Sequence, residues 1–339
     1  MTFVPFLEKV EQGQDLSAAE TRTAFDFIFE GEVSNEDLSA FLLALCQKGE
    51  AVDELKGAVS SMNSRMIPIK APPGAMDIVG TGGDMRYTLN ISTAVAFVIA
   101  ACGVPVAKHG NRAATSMSGS SDMLAALGIH VQPDLGLVDR CLTEANMCFL
   151  YAPRHHPAMK HVAEVRRKLG VRTIFNLLGP LTNPANVRRH LIGVFEREYL
   201  GPMAEVLKEN DSEAAWFACG QDGMDEITTT AASDIVELRH GNVRHFTIKP
   251  EQFGIRRAHP DDLKGGDAMD NAAALRKLLD GQDGPYRDIV LMNAGAALVV
   301  ADKATDIRQG IPIAADAIDN GGGRRVLDTL VRLTNETGI

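Results

Sequence analysis

The chain has 339 residues, 45% of them hydrophobic and 23% charged, with a formal net charge of −10 at pH 7. That length buries a large core and accommodates two domains, and the apolar share is ordinary for a soluble globular protein. The acidic balance argues against nucleic acid or an anionic membrane as partner, yet allows an anionic small substrate in a cleft lined by amides, a few cations or a bound metal.

Five cysteines, Cys46, Cys102, Cys141, Cys148 and Cys219, form no CxxC pair and mostly sit in apolar runs. Buried free thiols in a reducing compartment are expected, not a disulfide framework or a zinc site. The N-terminus lacks the basic-then-apolar pattern of a leader, and no apolar run reaches bilayer length. A cytoplasmic protein without membrane contact is expected.

Residues 1 to about 66 read as helices. Ser17-Ala-Ala-Glu20 is a capping-box pattern, and Ser34 to Asp37 resembles a second. Phe25, Ile28 and Phe29 share one helical face. Leu38, Phe41, Leu42 and Leu45 share another, and Leu55, Ala58, Val59, Met62 and Met66 a third. So short a bundle needs helices from later in the chain or a second subunit.

Pro68, Pro72, Pro73 and Gly74 then form a break and a hinge. Beyond it, apolar runs at 76–79, 104–107, 129–131 and 147–151 alternate with helical stretches, which predicts βαβ units and a mostly parallel sheet. Residues 155–169 predict a basic helix, and 172–184 a short apolar one stopped by Gly179 and Pro180. Strand patterns return near 190–195 and 214–219, and 234–239 with 242–248 read as a hairpin turned at His240-Gly241. From about 270 the chain is mainly helical and includes the small-residue run from Met292 to Leu298. The expected class is α/β: a small all-helical domain plus a large α/β domain with a central, mostly parallel sheet flanked by helices.

Three stretches carry candidate chemistry in the first half of that sheet. Gly80-Thr81-Gly82-Gly83-Asp84 follows a predicted strand, and its glycines let backbone amides close on an anion. It matches neither Walker A nor GxGxxG, and a tight strand-to-helix turn is the alternative. Asp84 is unhelpful beside a phosphate unless it accepts from sugar hydroxyls or sees a metal. Asn90-Ile91-Ser92-Thr93 opens an amphipathic helix and reads as an N-cap, an anion site, or both. Lys108-His109-Gly110-Asn111-Arg112 places two cations around a glycine after a buried strand, followed by hydroxyls at Thr115, Ser116, Ser118, Ser120 and Ser121. Parallel sheets bind ligands at such strand ends.

Further on, Asp225-Glu226 is either a solvated turn or a pair of hard oxygen ligands suited to Mg²⁺. His155 and His156 lack the i,i+4 partner of a zinc motif. Arg166, Arg167 and Lys168 form a solvated helix face or supply one planar fork for a carboxylate. From the residues alone the reading is a Mg²⁺-dependent enzyme acting on a phosphorylated sugar, with the second substrate open.

GTGGD (80–84), NIST (90–93), KHGNR (108–112), SGSSD (118–122), HPAMK (156–160), VRRKLG (165–170), RTIFNLLGPLTNP (172–184) and DGMDE (222–226) together resemble the anthranilate phosphoribosyltransferase family over nearly the whole chain. The wider class includes pyrimidine nucleoside phosphorylases, whose second loop typically carries serine where this chain has Gly110. The resemblance implies transfer of a phosphoribosyl group from 5-phosphoribosyl-1-pyrophosphate (PRPP) to anthranilate. It implies PRPP contacts at Gly80, Thr81, Gly82, Gly83, Asp84, Thr88, Asn90, Ser92, Thr93, Lys108, Gly110, Asn111 and Ser120. Gly80, His109, Asn111, His156, Arg166 and Gly179 would line the anthranilate path, with Arg166 facing the carboxylate. Ser92, Asp225 and Glu226 would bind Mg²⁺, two ions per subunit, and Lys108 and His109 are the catalytic candidates.

The implied layout is a helical domain of 1–70 joined by about 165–190, an α/β domain of 71–164 and 191–339, and a homodimer through the helical domains. Met85, Glu164, Cys219 and Ala125 depart from residues common in the family. Of these, Met85 bears on the mobility of the first loop. A nucleoside phosphorylase and a catalytically retired nucleic-acid-binding relative are the rival readings, and the intact motifs and acidic charge weigh against the second.

Overall fold

A computed structural model describes residues 2–112 and 118–336, so Thr115 and Ser116 lie outside the described residues. The chain opens with four helices: α1 (Val4–Glu11), α2 (Ala18–Glu30), α3 (Asn35–Lys48) and α4 (Val52–Ser64). Both expected starts form as helix caps. The Ser17 hydroxyl accepts from the Glu20 amide while the Glu20 carboxylate accepts from the Ser17 amide, and Ser34 accepts from Asp37. Gly31, at φ +76°, ends α2 in the left-handed conformation that glycine adopts without strain. Met66 falls beyond α4 and leaves that helical face.

The Pro-rich segment 68–74 leads into alternating elements: β1 (Met76–Gly80), α5 (Ile91–Ala101), β2 (Val106–Gly110), α6 (Ser120–Ala126), α7 (Leu135–Ala145), β3 (Met147–Tyr151) and α8 (Ala152–His155). There follow α9 (Lys160–Leu169), α10 (Ile174–Leu181), β4 (Arg189–Gly193), α11 (Leu200–Glu209), β5 (Ala214–Gly220), β6 (Ser233–Arg239) and β7 (Asn242–Ile248). Four helices complete the chain: α12 (Ala268–Leu279), α13 (Pro285–Val300), α14 (Ile307–Asp319) and α15 (Gly322–Thr334).

The strands form one sheet in the order β3-β2-β1-β4-β5-β6-β7. The first five are mutually parallel, and β6 and β7 run antiparallel as the expected hairpin. Residues 129–131, expected as a strand, are not one. Gly128 sits at φ +95°, its amide bonds the Ala125 carbonyl, and the Ile129 amide reaches back to Leu124 at 3.0 Å. Ile129 is therefore the apolar residue that closes a Schellman cap on α6, a local pattern that mimics a short strand.

Alternating side chains divide the sheet between two cores. Leu191, Trp216 and Ala218 face a cluster with α5, α7 and α12–α15. Ile192, Phe217 and Val236 face a second cluster, which holds α1–α4 together with α9, α10 and α11. The N-terminal helices thus bury their apolar faces against later helices. Phe175 of α10 meets Phe25 and Phe29 of α2 at ring separations of 5.7 and 6.2 Å. Among the described residues, no helix is long and apolar enough to cross a membrane. Cys141, Cys148 and Cys219 are buried free thiols as expected, whereas Cys46 is exposed.

Candidate active site at the strand ends

The site grows from three glycines. Strands β1, β2 and β4 end at Gly80, Gly110 and Gly193, and Gly80 pairs with Gly193 across the sheet. A Cβ at Gly193 would lie 1.5 Å from the Asp225 carbonyl oxygen, and one at Gly80 would lie 2.4 Å from Asp225 Oδ2. Only bare backbone at both places lets the 222–226 turn lie across the strand ends. Asp225 Oδ2 accepts from the Gly82 amide at 2.7 Å, and Glu226 Oε1 accepts from the Ser92 amide at 3.1 Å. Residues 143 and 134 positions apart are thereby joined. The carboxylates satisfy free amides of the glycine loop and of the α5 start, positions whose exposed N–H groups favour negative charge.

Behind that turn, Asp222 accepts from the Met224 amide and the Thr228 hydroxyl and fixes its curvature. Burial pushes the Glu226 carboxyl up to about 8 and Asp225 well above the usual range, and Asp84 beside them adds repulsion. Asp84 uses Oδ1 to accept from the Arg86 amide, and its buried Oδ2 has no protein partner. This donor set fits a hard divalent cation, which would relieve the repulsion. Among the described residues, no three His, Cys, Asp or Glu side chains form a ready metal cage. A cation here would therefore complete its shell with substrate oxygens or water, as Mg²⁺ commonly does.

Lys108 on β2 is fully buried, and its ammonium donates to the Ile78 carbonyl at 2.7 Å and to Ser92 Oγ at 3.3 Å. It thus links β1 to the start of α5. Burial lowers its pKa, while Asp77 and Glu226 act in the opposite direction. His109 donates its backbone amide to Asp77 Oδ1 and turns Nδ1 toward the Gly179 carbonyl at 3.3 Å. Its ring lies 5.2 Å from that of His156. Burial holds His109 well below the ordinary histidine range and His156 at about 4, so both rings are neutral at neutral pH. The Nε2 of His109 is buried without a protein partner.

Asn90 departs from the N-cap expectation. Its side chain caps no amide of α5; instead Nδ2 donates to the Ser118 carbonyl, and Oδ1 accepts from Asn271 at 3.0 Å. The hydroxyl of Thr93 is buried and unpartnered. Ser120 donates to the Asn111 carbonyl, and a Cβ at Gly110 would meet Ser120 Oγ at 2.4 Å, so the second loop packs tightly on the α6 start. Asn111 spends its side-chain oxygen on the Arg112 amide. The backbone of Thr88 is bridged to Lys264. Met85 and Tyr87 take left-handed φ of +55° and +53°, which few non-glycine residues adopt.

Arg166 stacks on Phe175, with its guanidinium carbon 5.3 Å from the ring centroid. Among the described residues it has no ion-pair partner, and burial pulls it down to about 10. No direct bond joins it to His109 or His156. Four contributors went unread in the sequence. Asn183 donates to Asp77 Oδ2 at 2.7 Å and to the Ala107 carbonyl, locking β1 to β2 beneath His109. Asp77 is fully buried, and that burial raises it to about 6. An acidic residue inside the apolar run 76–79 was the signal for it. Asn176 donates to the Thr81 carbonyl, and a Cβ at Gly83 would meet the Arg172 side chain at 2.9 Å, so α10 touches the glycine loop.

This fold and site define a class. Residues 4–66 match the helical bundle domain, and residues 72–324 the a/b domain, of a glycosyl transferase family, and the chain belongs to that family. Within it, the chain is 50% identical over 332 residues to the anthranilate phosphoribosyltransferases of Brucella suis biovar 1 and Brucella canis, with 98% of each chain covered. Among solved structures, that of anthranilate phosphoribosyltransferase from Thermus thermophilus is 38% identical, at a TM-score of 0.90 over 98% of this chain and 99% of that one. The enzyme of Saccharomyces cerevisiae in complex with PRPP and Mg is 25% identical, at a TM-score of 0.89 over 98% and 97%. The family named by the sequence motifs is thus the one to which 98% of the chain aligns.

Proposed function

We propose that the chain transfers the phosphoribosyl group of PRPP to the amine of anthranilate, giving N-(5-phosphoribosyl)anthranilate and pyrophosphate, the second step of tryptophan biosynthesis from chorismate. The observation that carries this reading is the Asp225–Glu226 turn seated on the amides of Gly82 and Ser92. It brings acidic groups, phosphate-binding backbone and buried Lys108 to one place, as a diphosphate leaving group requires.

In this reading the amides of Gly80–Gly83 and of Asn90–Thr93 take the diphosphate, and Asp225 and Glu226 yield those amides to it. Thr88, Gly110, Asn111 and Ser120 border the ribose and its 5-phosphate. Ser92, Asp225 and Glu226 would hold Mg²⁺, two ions per subunit, and the metal would supply positive charge for the pyrophosphate leaving group. Lys108 adds a fixed positive charge between β1 and α5. Arg166 donates to the anthranilate carboxylate from its unpaired fork, and His109, His156 and Gly179 line the aromatic path. The amine attacks the anomeric carbon as the bond to pyrophosphate breaks through an oxocarbenium-like state. The free Nε2 of neutral His109 is the acceptor available for the proton the amine releases.

Two units serve this chemistry: a helical one, 1–70 with about 165–190, and the α/β body, 71–164 and 191–339. Contacts of Asn176 and Arg172 with the glycine loop support a cleft between them. The active form is a cytoplasmic homodimer joined through the helical units. The decisive experiment follows anthranilate fluorescence. Addition of PRPP and Mg²⁺ to purified protein and anthranilate is expected to extinguish it with release of one pyrophosphate per anthranilate. Unchanged fluorescence with intact PRPP overturns the proposal.

A further inference from the structure

We propose that α13 is the brace that keeps the carboxylate turn and the phosphate-binding helix start in register, with Asn293 and Tyr286 as positioning residues for the metal–pyrophosphate end of the site. This deepens the function proposed above and rests on it. Asn293 belongs to the small-residue run 292–298 and is buried, 1% exposed. Its carboxamide grips Ile227, the residue after Glu226, from both sides. The Ile227 amide donates to Asn293 Oδ1 at 3.1 Å, and Asn293 Nδ2 donates to the Ile227 carbonyl at 2.8 Å. The second Nδ2 hydrogen goes to the Ile289 carbonyl of its own helix at 2.9 Å.

Seven residues earlier on the same helix, about two turns away, the Tyr286 hydroxyl donates to the Asn90 carbonyl at 3.2 Å. Asn90 immediately precedes α5, and Ser92, two residues on, donates its amide to Glu226. A closed circuit results: α13, Ile227, Glu226, Ser92, Asn90, Tyr286 and α13 again. The neighbouring small residues serve the same end. Gly310 of α14 packs so closely on Gly295 that a Cβ at Gly310 would lie 2.6 Å from its carbonyl oxygen, which seats α13 rigidly in the core.

An apolar side chain at 293 would leave two buried backbone groups of Ile227 unpaired, and the turn would shift to find partners. Two carboxylates that must share a cation with a diphosphate tolerate little such shift. Outer-shell partners of metal ligands typically change affinity about 10–100-fold.

The test compares wild type with Asn293→Ala, Asn293→Asp and Tyr286→Phe. The control is Leu298→Ala, a cavity change at a buried apolar residue of α13 outside the hydrogen-bonded circuit. Mn²⁺ binding in the presence of inorganic pyrophosphate is read by electron paramagnetic resonance, alongside KM and kcat for each substrate and Tm. Both Asn293 variants are expected to weaken Mn²⁺ binding about tenfold. All three site variants should raise KM for PRPP with KM for anthranilate unchanged, whereas Leu298→Ala lowers Tm alone. If Asn293→Ala does not fold, Asn293→Asp and Tyr286→Phe decide. Wild-type Mn²⁺ affinity and PRPP KM in the folded variants, or the same changes in Leu298→Ala, overturn the brace. Wild type that binds Mn²⁺–pyrophosphate but makes no product from anthranilate overturns instead the activity on which the brace rests.

Discussion

Asp225 and Glu226 are held in an unfavourable state. Each carboxyl is pushed upward by burial and by nearby acids; the Gly82 amide offsets this at Asp225, and the Lys108 ammonium and the Ser92 amide offset it at Glu226. Under the proposed function, such groups would exchange an amide for a cation when a diphosphate claims that amide. The double substitution Asp225→Asn with Glu226→Gln should therefore lower kcat/KM at limiting Mg²⁺ by at least about a hundredfold, while leaving the fold intact. Wild-type turnover under those conditions would remove both residues from the metal site. Arg166 is the complementary case, a half-buried cation with a ring beneath it and, among the described residues, no ion-pair partner. Replacing it with alanine is expected to raise KM for anthranilate about tenfold or more, because a charged hydrogen-bonded pair contributes about 1.5–3 kcal/mol. KM for PRPP should hold. A selective loss of PRPP affinity would show that Arg166 faces the other substrate.

At the scale of elements, the site depends on backbones that approach closer than any side chain permits. The end of β4 shows this best. A Cβ at Gly193 would sit inside the Asp225 carbonyl, so the 222–226 turn must rise if any side chain is added there. Gly193→Ala should cost about 1–3 kcal/mol of stability, the usual range for overpacking, and should weaken Mg²⁺-dependent turnover out of proportion to that loss. Urea unfolding set beside a Mg²⁺ titration of the rate checks it; a stable variant with normal Mg²⁺ dependence would mean the turn has slack. Along β1 and β2, Asp77, Asn183 and Lys108 form a buried polar seam that fixes His109 by its backbone. Such seams hold because every member is paired; a lone buried charge there would be strongly unfavourable.

At the scale of the whole molecule, buried histidines tie stability to pH. Burial holds His156 and His190 at about 4, against an ordinary value of 6.5. Between those values the unfolded chain takes up protons that the native state refuses, so native stability falls as pH drops from 6.5 towards 4. Asp77 works the other way, because its raised native value keeps a proton that the unfolded chain releases, and its contribution falls as pH rises towards 6. His190 lies away from the strand-end loops, bonded to Ser212, and isolates the first effect. His190→Asn should flatten the decline between pH 6.5 and 4 by at most about 1.4 kcal/mol per pH unit. Urea midpoints over that range are the measurement, and parallel curves for variant and wild type would refute it.

Local chemistry was legible in the residues. Ser17 and Ser34 announced helix starts, most of the apolar runs announced the parallel strands, and GTGGD, NIST, KHGNR and DGMDE announced the family and marked the loops that meet at the strand ends. These signals are short-range, set by backbone freedom, capping and side-chain period. A short-range signal also misled: Ile129 looks like a strand residue but closes a helix cap, because one apolar residue after Gly128 serves either end. What the tertiary structure alone decided is which distant residues meet. The Asp225 carboxylate lies on the Gly82 amide, Asn183 lies under His109, α10 touches the glycine loop, and α13 grips Ile227 and Asn90 at once. No periodicity encodes such meetings. They follow from the closure of one sheet between two cores, which brings the ends of β1, β2 and β4 together and leaves only glycine room between them.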